Sequence, residues 1–447
     1  METIFALSSG LGQAGVAVVR LSGERAGPAL ARLTGRKTLP TPRLATYVTF
    51  RQPDTQETLD HGLALWFPAP ASFTGEDVVE LHIHGSRAVA RQLLHVLGQE
   101  PGLRLAEPGE FARRAFQNGK MDLTQAEGIA DLIAAETEAQ HQQAIRQMDG
   151  ALKIQCDAWR KMLIGLLAQI EAYIDFPDED LPAPLLQTCV NEAATLLDTL
   201  TQHVADHRGK RIREGITIAL LGAPNAGKSS LLNHLARRDA AIVSETPGTT
   251  RDVLEVPLNI GGYAVTLIDT AGLRESTDAI ESEGIRRAKA RAEAAEITLL
   301  LFDAAALPAL DTTTLSLLDD RAIVLFTKAD LIEAPSTPPL TDHTPLVISA
   351  QTGEGIAALL ARIEEKLGLL MTGKREDPLV TNERQRYAIT HAIHSLEQFL
   401  TSQELNHPVE LMAEHLRHAA SQLGHVTGVI GLEDILDAVF SRFCIGK

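Results

Sequence analysis

Residues 222–229 read Gly-Ala-Pro-Asn-Ala-Gly-Lys-Ser, and they leave the chain around them few choices. An apolar run, Ile216–Leu221, precedes them, and a stretch of helical composition, Ser229–Arg237, follows. The order strand, tight loop, helix with G-x-x-x-x-G-K-[ST] at the turn is that of a phosphate cradle. The glycines let backbone N–H groups turn inward, and the helix N-terminus adds partial positive charge. Lys228 would bring a cation to the β- and γ-phosphates, and the Ser229 hydroxyl is a ligand for Mg²⁺. Such a loop belongs at the C-terminal edge of a parallel sheet, so strands should alternate with crossover helices around it. They do so from Ile216 to Leu370.

Further polar motifs at strand ends narrow the ligand. Pro247-Gly-Thr-Thr-Arg-Asp252 is a polar loop whose Thr250 would close the Mg²⁺ shell. Asp269-Thr-Ala-Gly272 ends the strand Ala264–Ile268, where the carboxylate reaches the Mg²⁺ sphere and the Gly272 amide can sense a γ-phosphate. Thr327-Lys-Ala-Asp330 ends the strand Ala322–Phe326, and Asp330 can accept two N–H bonds from guanine that adenine does not offer. Ser349-Ala350 ends the strand Leu346–Ile348, where a backbone amide would meet the guanine oxygen.

In this order the motifs resemble the GTPase family. Its usual base-reading motif is Asn-Lys-x-Asp. Here Thr327 stands first, and its hydroxyl can brace the loop in part as the Asn does. The resemblance implies GTP as substrate. The implied contacts are Asn225, Ala226, Gly227, Lys228, Ser229, Ser230, Ser244, Glu245, Thr246, Pro247, Gly248, Thr249, Thr250, Asp269, Thr270, Ala271, Gly272, Thr327, Lys328, Asp330, Ser349 and Ala350. Many GTPases orient the attacking water with a Gln just after D-x-x-G. Leu273 occupies that place, and an aliphatic side chain cannot align water, which leaves Glu275, Glu281 and Glu283 as candidates. Asn225 offers a neutral oxygen beside the phosphates, and Ser244–Thr249 offers carbonyls and a hydroxyl. Together they would cage a monovalent cation where other enzymes insert an arginine; equally, Asn225 suits a turn.

The 447 residues carry 41 basic and 58 acidic side chains, a formal charge of −17. A protein that held nucleic acid by neutralising phosphates would be basic, so any RNA is expected to meet a local patch or a partner. Aromatics at 4% argue against extensive base stacking. No apolar run is long enough for a membrane span, and METIFALSSG lacks a basic n-region and a long apolar core. Cys156, Cys189 and Cys444 are odd in number and far apart, which argues for a reducing compartment rather than a disulfide framework.

Residues 1–119 read as α+β, with apolar runs Gly15–Leu21, Ala45–Phe50, Leu63–Phe67 and Val78–His84 and helical stretches Glu24–Leu33 and Ser86–Gln99. From Asp122 to Phe176, Leu123, Ala126, Ala130 and Ile133 set a helical period, and one very long helix, or two in line, is expected. Asp175–Pro184 breaks it, and a second helix runs to about Gly209. The chain turns helical again after Gly373. A nucleotide domain inserted into a discontinuous helical domain follows from this order.

The α/β head ends in Arg114-Ala-Phe-Gln-Asn-Gly-Lys120-Met-Asp-Leu-Thr-Gln-Ala-Glu127, and the chain closes with Phe443-Cys-Ile-Gly-Lys447. With the inserted phosphate-loop domain, these resemble the MnmE (TrmE) family of tRNA modification GTPases over essentially the whole length. The resemblance implies a multidomain α/β protein in four stretches. Residues 1–119 would be a folate-binding and dimerisation domain, 120–214 and 372–447 the two parts of an all-α domain, and 215–371 a Ras-like P-loop GTPase domain. It implies a cytoplasmic homodimer, forming a heterotetramer with the FAD protein MnmG, with tRNA held mainly through that complex and no membrane. The reaction would be addition of a carboxymethylaminomethyl or aminomethyl group at C5 of the wobble uridine, U34, with 5-formyl- or 5,10-methylene-tetrahydrofolate as one-carbon donor. By motif, K⁺ falls to Asn225, Ser244, Thr246 and Thr249, Mg²⁺ to Ser229 and Thr250, and water orientation to Glu281. Folate contacts fall to Arg20, Glu80, Lys120 and Lys447, and Cys444 becomes a candidate thiol. A carboxylate suits the paired N–H groups of a pterin, and cations suit the anionic tail.

His82 and His84 share one face of a strand, yet no Cys or acidic cluster completes a four-ligand metal set with them. His391/His394 and His415/His418 have helical spacing and read as partly exposed helix residues. Two other functions fit the phosphate motifs: a GTP-dependent switch in ribosome assembly, against which the absence of a basic RNA-binding appendage counts, and a folate-dependent transferase that GTP only regulates.

Overall fold

Short strands in the first 105 residues bury alternate side chains, the pattern of a sheet with one covered face. The computed structural model describes all residues except 1, 11, 176–183, 238–254, 270–292, 333–343, 374–378, 430–435, 437–438, 441–442, 444–445 and 447. Strands β1 (Thr3–Leu7), β2 (Ala14–Ser22), β3 (Thr46–Arg51), β4 (Thr58–Phe67), β5 (Val78–Gly85) and β6 (Leu103–Leu105) form a sheet in the order β3-β4-β5-β2-β1-β6. The pairs are antiparallel except β1 with β6. Helices Ala26–Thr34 and Arg87–Gly98 lie within two residues of their expected bounds and help close a core of Phe5, Val19, Leu21, Leu30, Phe50, Leu81 and Leu97.

The stretch expected as one or two helices is three: Leu123–Ala134, Glu138–Met148 and Ala151–Asp175. Reciprocal caps set the starts of the first two. Asp122 Oδ1 accepts from the Thr124 and Gln125 amides, and Gln125 Oε1 accepts from the Asp122 amide. Thr137 and Gln140 repeat the arrangement, the Gln140 amide donating to Thr137 Oγ1 and the Thr137 amide to Gln140 Oε1. A capping box satisfies orphan N–H groups that an uninterrupted helix would not have, so it favours a break. Gly150, at φ +86°, makes the second break. The helix expected to run to Gly209 is likewise two, Pro184–Ala205 and Arg208–Glu214, with Asp206 Oδ1 accepting from the Arg208 amide between them.

The second sheet contains β7 (Ile216–Gly222), β8 (Glu255–Ile260), β9 (Tyr263–Asp269), β10 (Ile297–Asp303), β11 (Ala322–Thr327) and β12 (Leu346–Val347) in the order β12-β11-β10-β7-β9-β8. Five strands are parallel, as expected; β8 departs, pairing antiparallel with β9 in a hairpin turned at Gly261 and Gly262. Helices Lys228–Ala236 and Ile356–Leu370 pack on this sheet through Leu231, Leu235, Leu359 and Ile363.

The chain divides into two compact units. One comprises Met1–Ala130, Gln147–Ala194 and His394–Lys447; the other comprises Asp131–Arg146 and Thr195–Ile393. In the first, helix Val409–Thr427 packs along Ala151–Asp175, and the Ser8 hydroxyl donates to the Gly446 carbonyl at 2.7 Å. Gly446 sits at φ +99°, where a Cβ would lie 2.2 Å from the Leu7 carbonyl oxygen. In the second, the Ala139 amide donates to the Gly262 carbonyl at 3.1 Å, Gln140 donates to the Arg213 carbonyl, and Arg213 pairs with Asp131 at 2.8 Å. Among the described residues no helix is long and apolar enough to cross a membrane.

Candidate functional site: a phosphate cradle and a base-reading edge

The C-terminal ends of β7, β9, β10, β11 and β12 bring the phosphate loop, Asp269, Thr327–Asp330 and Ser349-Ala350 to one edge of the second sheet. At the end of β7, a Cβ on Gly222 would lie 2.5 Å from the Leu301 carbonyl oxygen of β10, so only glycine lets the chain turn there. Asn225 holds a left-handed conformation at φ +62°, which Asn tolerates better than most side chains, and stays exposed. The turn and ligand roles of Asn225 are therefore compatible. Lys228 is 6% exposed and donates to the Gly222 and Ala223 carbonyls at 2.6 and 2.9 Å, folding across the mouth of its own loop. Burial lowers its pKa, and the Asp269 charge opposes that shift.

Ser229 Oγ donates to Asp269 Oδ2 at 2.7 Å, joining the first turn of helix Lys228–Ala236 to the end of β9. A hydroxyl and a carboxylate on one spot form an oxygen-only donor set of the kind Mg²⁺ takes. Thr327, 4% exposed, places its hydroxyl 2.8 Å from the Ala226 carbonyl and 3.1 Å from that of Phe302. The bracing expected of Thr327 is thus made directly to the phosphate loop. Lys328, at φ +61°, pairs with Asp303 at 2.6 Å. Asp330 Oδ1 accepts from the Ser349 hydroxyl at 2.5 Å, and the Ala329 amide donates to the Ile348 carbonyl, so the loops after β11 and β12 are fastened together.

One residue of this edge escapes the sequence motifs. His234 Nδ1 lies 2.7 Å from the Ala350 carbonyl. The only hint in the sequence is its place on the helix that starts at Lys228. Ser244, Glu245, Thr246, Pro247, Gly248, Thr249, Thr250, Thr270, Ala271, Gly272 and Glu281 lie outside the described residues, as do Cys444 and Lys447. Cys156 and Cys189 are buried thiols outside any disulfide, and Cys189 Sγ donates to Gln169 Oε1 at 3.1 Å.

In the first unit Arg20 on β2 stands opposite Glu80 on β5. Its Nε and Nη2 donate to Glu80 Oε1 at 3.1 and 2.9 Å, and its guanidinium lies 5.4 and 5.8 Å from the rings of Phe73 and Phe111. The two residues are brought into direct contact, so a ligand bonding to Glu80 would share the carboxylate with Arg20. Lys120 is held separately, donating to the Pro70 carbonyl at 3.0 Å. Beside this pair lies a network the sequence did not reveal. Arg114, 4% exposed, bonds Glu76, Glu110 and the Glu2 carbonyl, and Arg104 adds a second guanidinium on Glu110. Burial would raise the Glu110 pKa, but the bonds from Arg104, the Glu107 amide and Arg114 outweigh it and hold it at about 2. His82 lies against Glu80 and His84 against Asp60, and among the described residues no His, Cys and acid group suits a metal ion.

Comparison with known proteins covers the whole chain. The family described as MnmE helical domain matches residues 123–444, and that described as GTP-binding protein TrmE N-terminus matches residues 3–120. The chain is 51% identical over 450 residues to the tRNA modification GTPase MnmE of Paramagnetospirillum magneticum, with all of both chains covered. Proteins of the same name from Parvibaculum lavamentivorans and Rhodospirillum rubrum are 51% and 48% identical over 449 and 462 residues, again with all of both chains covered.

Proposed function

The chain belongs to the MnmE family of tRNA modification GTPases, and from that premise we propose a K⁺-dependent GTP hydrolase that drives wobble-uridine modification. The modification is addition of a carboxymethylaminomethyl or aminomethyl group at C5 of U34, made with the flavoprotein MnmG and a tetrahydrofolate one-carbon donor. The protein works as a cytoplasmic homodimer in four stretches, 1–119, 120–214, 215–371 and 372–447. The observation that carries the hydrolase part is the Ser229–Asp269 bond, which sets the phosphate loop and the D-x-x-G carboxylate on one point.

The residues divide the work. Backbone amides of Asn225 to Ser229 and the Lys228 ammonium bind the phosphates; Ser229 and Thr250 hold Mg²⁺, while Asn225, Ser244, Thr246 and Thr249 hold K⁺. These cations supply charge neutralisation at the phosphoryl oxygens. Lys228 gains from anion binding, because a phosphate replaces the water that burial removes from its ammonium. Asp330, braced by Ser349, accepts the guanine N–H pair, and Glu281 orients the attacking water. In the first unit Arg20, Glu80, Lys120 and Lys447 bind the folate, with Cys444 as a candidate thiol.

The test uses the purified full chain and cells lacking its gene. GTP turnover should be much faster in K⁺ than in Na⁺. Glu281→Ala should keep GTP binding and lose turnover by about 10²–10⁴-fold. Wobble uridines of tRNA from the deletion cells should lack the C5 group. Equal rates in the two salts would remove the K⁺ site, and an unchanged wobble uridine would remove the tRNA function.

A further inference from the structure

The helix that opens the phosphate cradle also reaches the base-reading loop. Lys228 and Ser229 stand in the first turn of Lys228–Ala236, and His234 stands in its last turn, about 9 Å further along the axis. There His234 Nδ1 lies 2.7 Å from the Ala350 carbonyl. A carbonyl can only accept, so Nδ1 carries the proton and donates. The ring packs beside Gly353, whose φ of +83° favours glycine; a Cβ there would lie in ordinary contact, 3.5 Å from His234 Cε1.

This bond completes a set. The peptide that carries the Ala350 amide has its carbonyl, that of Ser349, accepting from the Gly353 amide at 2.9 Å. The Ser349 hydroxyl is fixed on Asp330, and the Ser349 amide donates to the Glu354 carbonyl at 3.0 Å. The next peptide, carrying the Ala350 carbonyl, is fixed by His234. Both peptide planes that flank the Ala350 Cα are thereby pinned, and with them the direction of the Ala350 amide. Among the described residues no acceptor meets that amide.

We propose that His234 is a positioning residue for guanine recognition, holding the Ala350 amide on the line to the guanine 6-oxygen. The proposal rests on the assignment of Ser349-Ala350 as the guanine-oxygen contact. A hydrogen-bond donor at this place on the helix ties base reading to the phosphate cradle through one rigid element.

Three diphosphates separate this role from a general loosening of the fold: GDP, inosine diphosphate, which keeps the 6-oxygen, and 2-aminopurine riboside diphosphate, which lacks it. Affinities for the full chain are measured by competition against a fluorescent GDP. His234→Ala should weaken GDP and inosine diphosphate by about three- to tenfold, the worth of one hydrogen bond, and leave the 2-aminopurine nucleotide within twofold. His234→Asn, whose side-chain amide reaches the place of Nδ1, should restore most of the loss. His234 is half-buried, so truncation opens no core cavity. Equal weakening of all three nucleotides, or none, would overturn the proposal. If the unaltered chain bound GDP and the 2-aminopurine nucleotide equally, the guanine-oxygen contact would itself be wrong, and the proposal would fall with it.

Discussion

Thr327→Val tests how far the phosphate loop depends on the base-reading strand. The hydroxyl is buried and lies within bonding distance of the Ala226 and Phe302 carbonyls, but it has one proton and can satisfy one at a time. Valine keeps the volume and removes the donor, so no cavity forms. The Ala226 carbonyl precedes the helix that starts at Lys228 and takes no part in its ladder. Leaving such an acceptor buried costs about 1–3 kcal/mol, and the free loop can relax where the loaded one cannot. A loss of about 1–2 kcal/mol in nucleotide binding follows, or roughly 5- to 30-fold in Kd. Stopped-flow release of fluorescent GDP from the full chain measures it, most of the change falling in the off-rate. Thr327→Ser keeps the hydroxyl and should stay within about threefold of the original. A folded Thr327→Val chain with unchanged GDP affinity would refute the claim that this hydroxyl shapes the loop.

Two further outcomes follow from other parts of the fold. Gln140→Ala removes one half of the Thr137 capping box and the bond to the Arg213 carbonyl, so the second unit should lose about 1–2 kcal/mol in urea unfolding. Gln140→Glu, which keeps the cap, should lose less, and equal midpoints for all three chains would count against the cap. Glu110 has its folded pKa depressed from 4.5 to about 2, so its contribution is present above pH 4.5 and is lost as pH falls toward 2. Glu110→Gln should therefore lower stability near neutral pH, by an amount on the order of 3 kcal/mol at most, and flatten the acid limb of the stability profile. Parallel acid limbs for the two chains would show that the Arg104–Glu110–Arg114 network carries no such linkage.

The phosphate edge was legible because its chemistry is local. Gly222, Lys228 and Ser229 are neighbours in sequence, and Asp269, Asp330 and Ser349 each end an apolar run that reads as a strand. Alternation of strand and helix then places all of them at one edge without any knowledge of long-range contacts. His234 was not legible, because its partner is a backbone carbonyl 116 positions away and carbonyls leave no trace in sequence. Arg20 and Glu80 are charges on different strands, and only the β2–β5 register makes them partners. The helix breaks were a different matter: Asp122-Leu-Thr-Gln125 and Thr137-Glu-Ala-Gln140 both carry the capping spacing, yet the apolar period across them spoke for continuity. The antiparallel β8 was hidden for a third reason, since a hairpin at the edge of a parallel sheet has the same composition as a crossover strand.

The Ser8–Gly446 bond closes a loop of 438 positions, and its energetic cost is set by chain statistics before any side chain is considered. The first unit, assembled from three stretches of the chain, cannot finish until residues near Gly446 have been made. Every segment of the second unit has been translated once Ile393 has left the ribosome. Synthesis therefore delivers every segment of the nucleotide-binding sheet before Leu7 and Ser8, on and beside the first strand of the amino-terminal sheet, can meet Gly446.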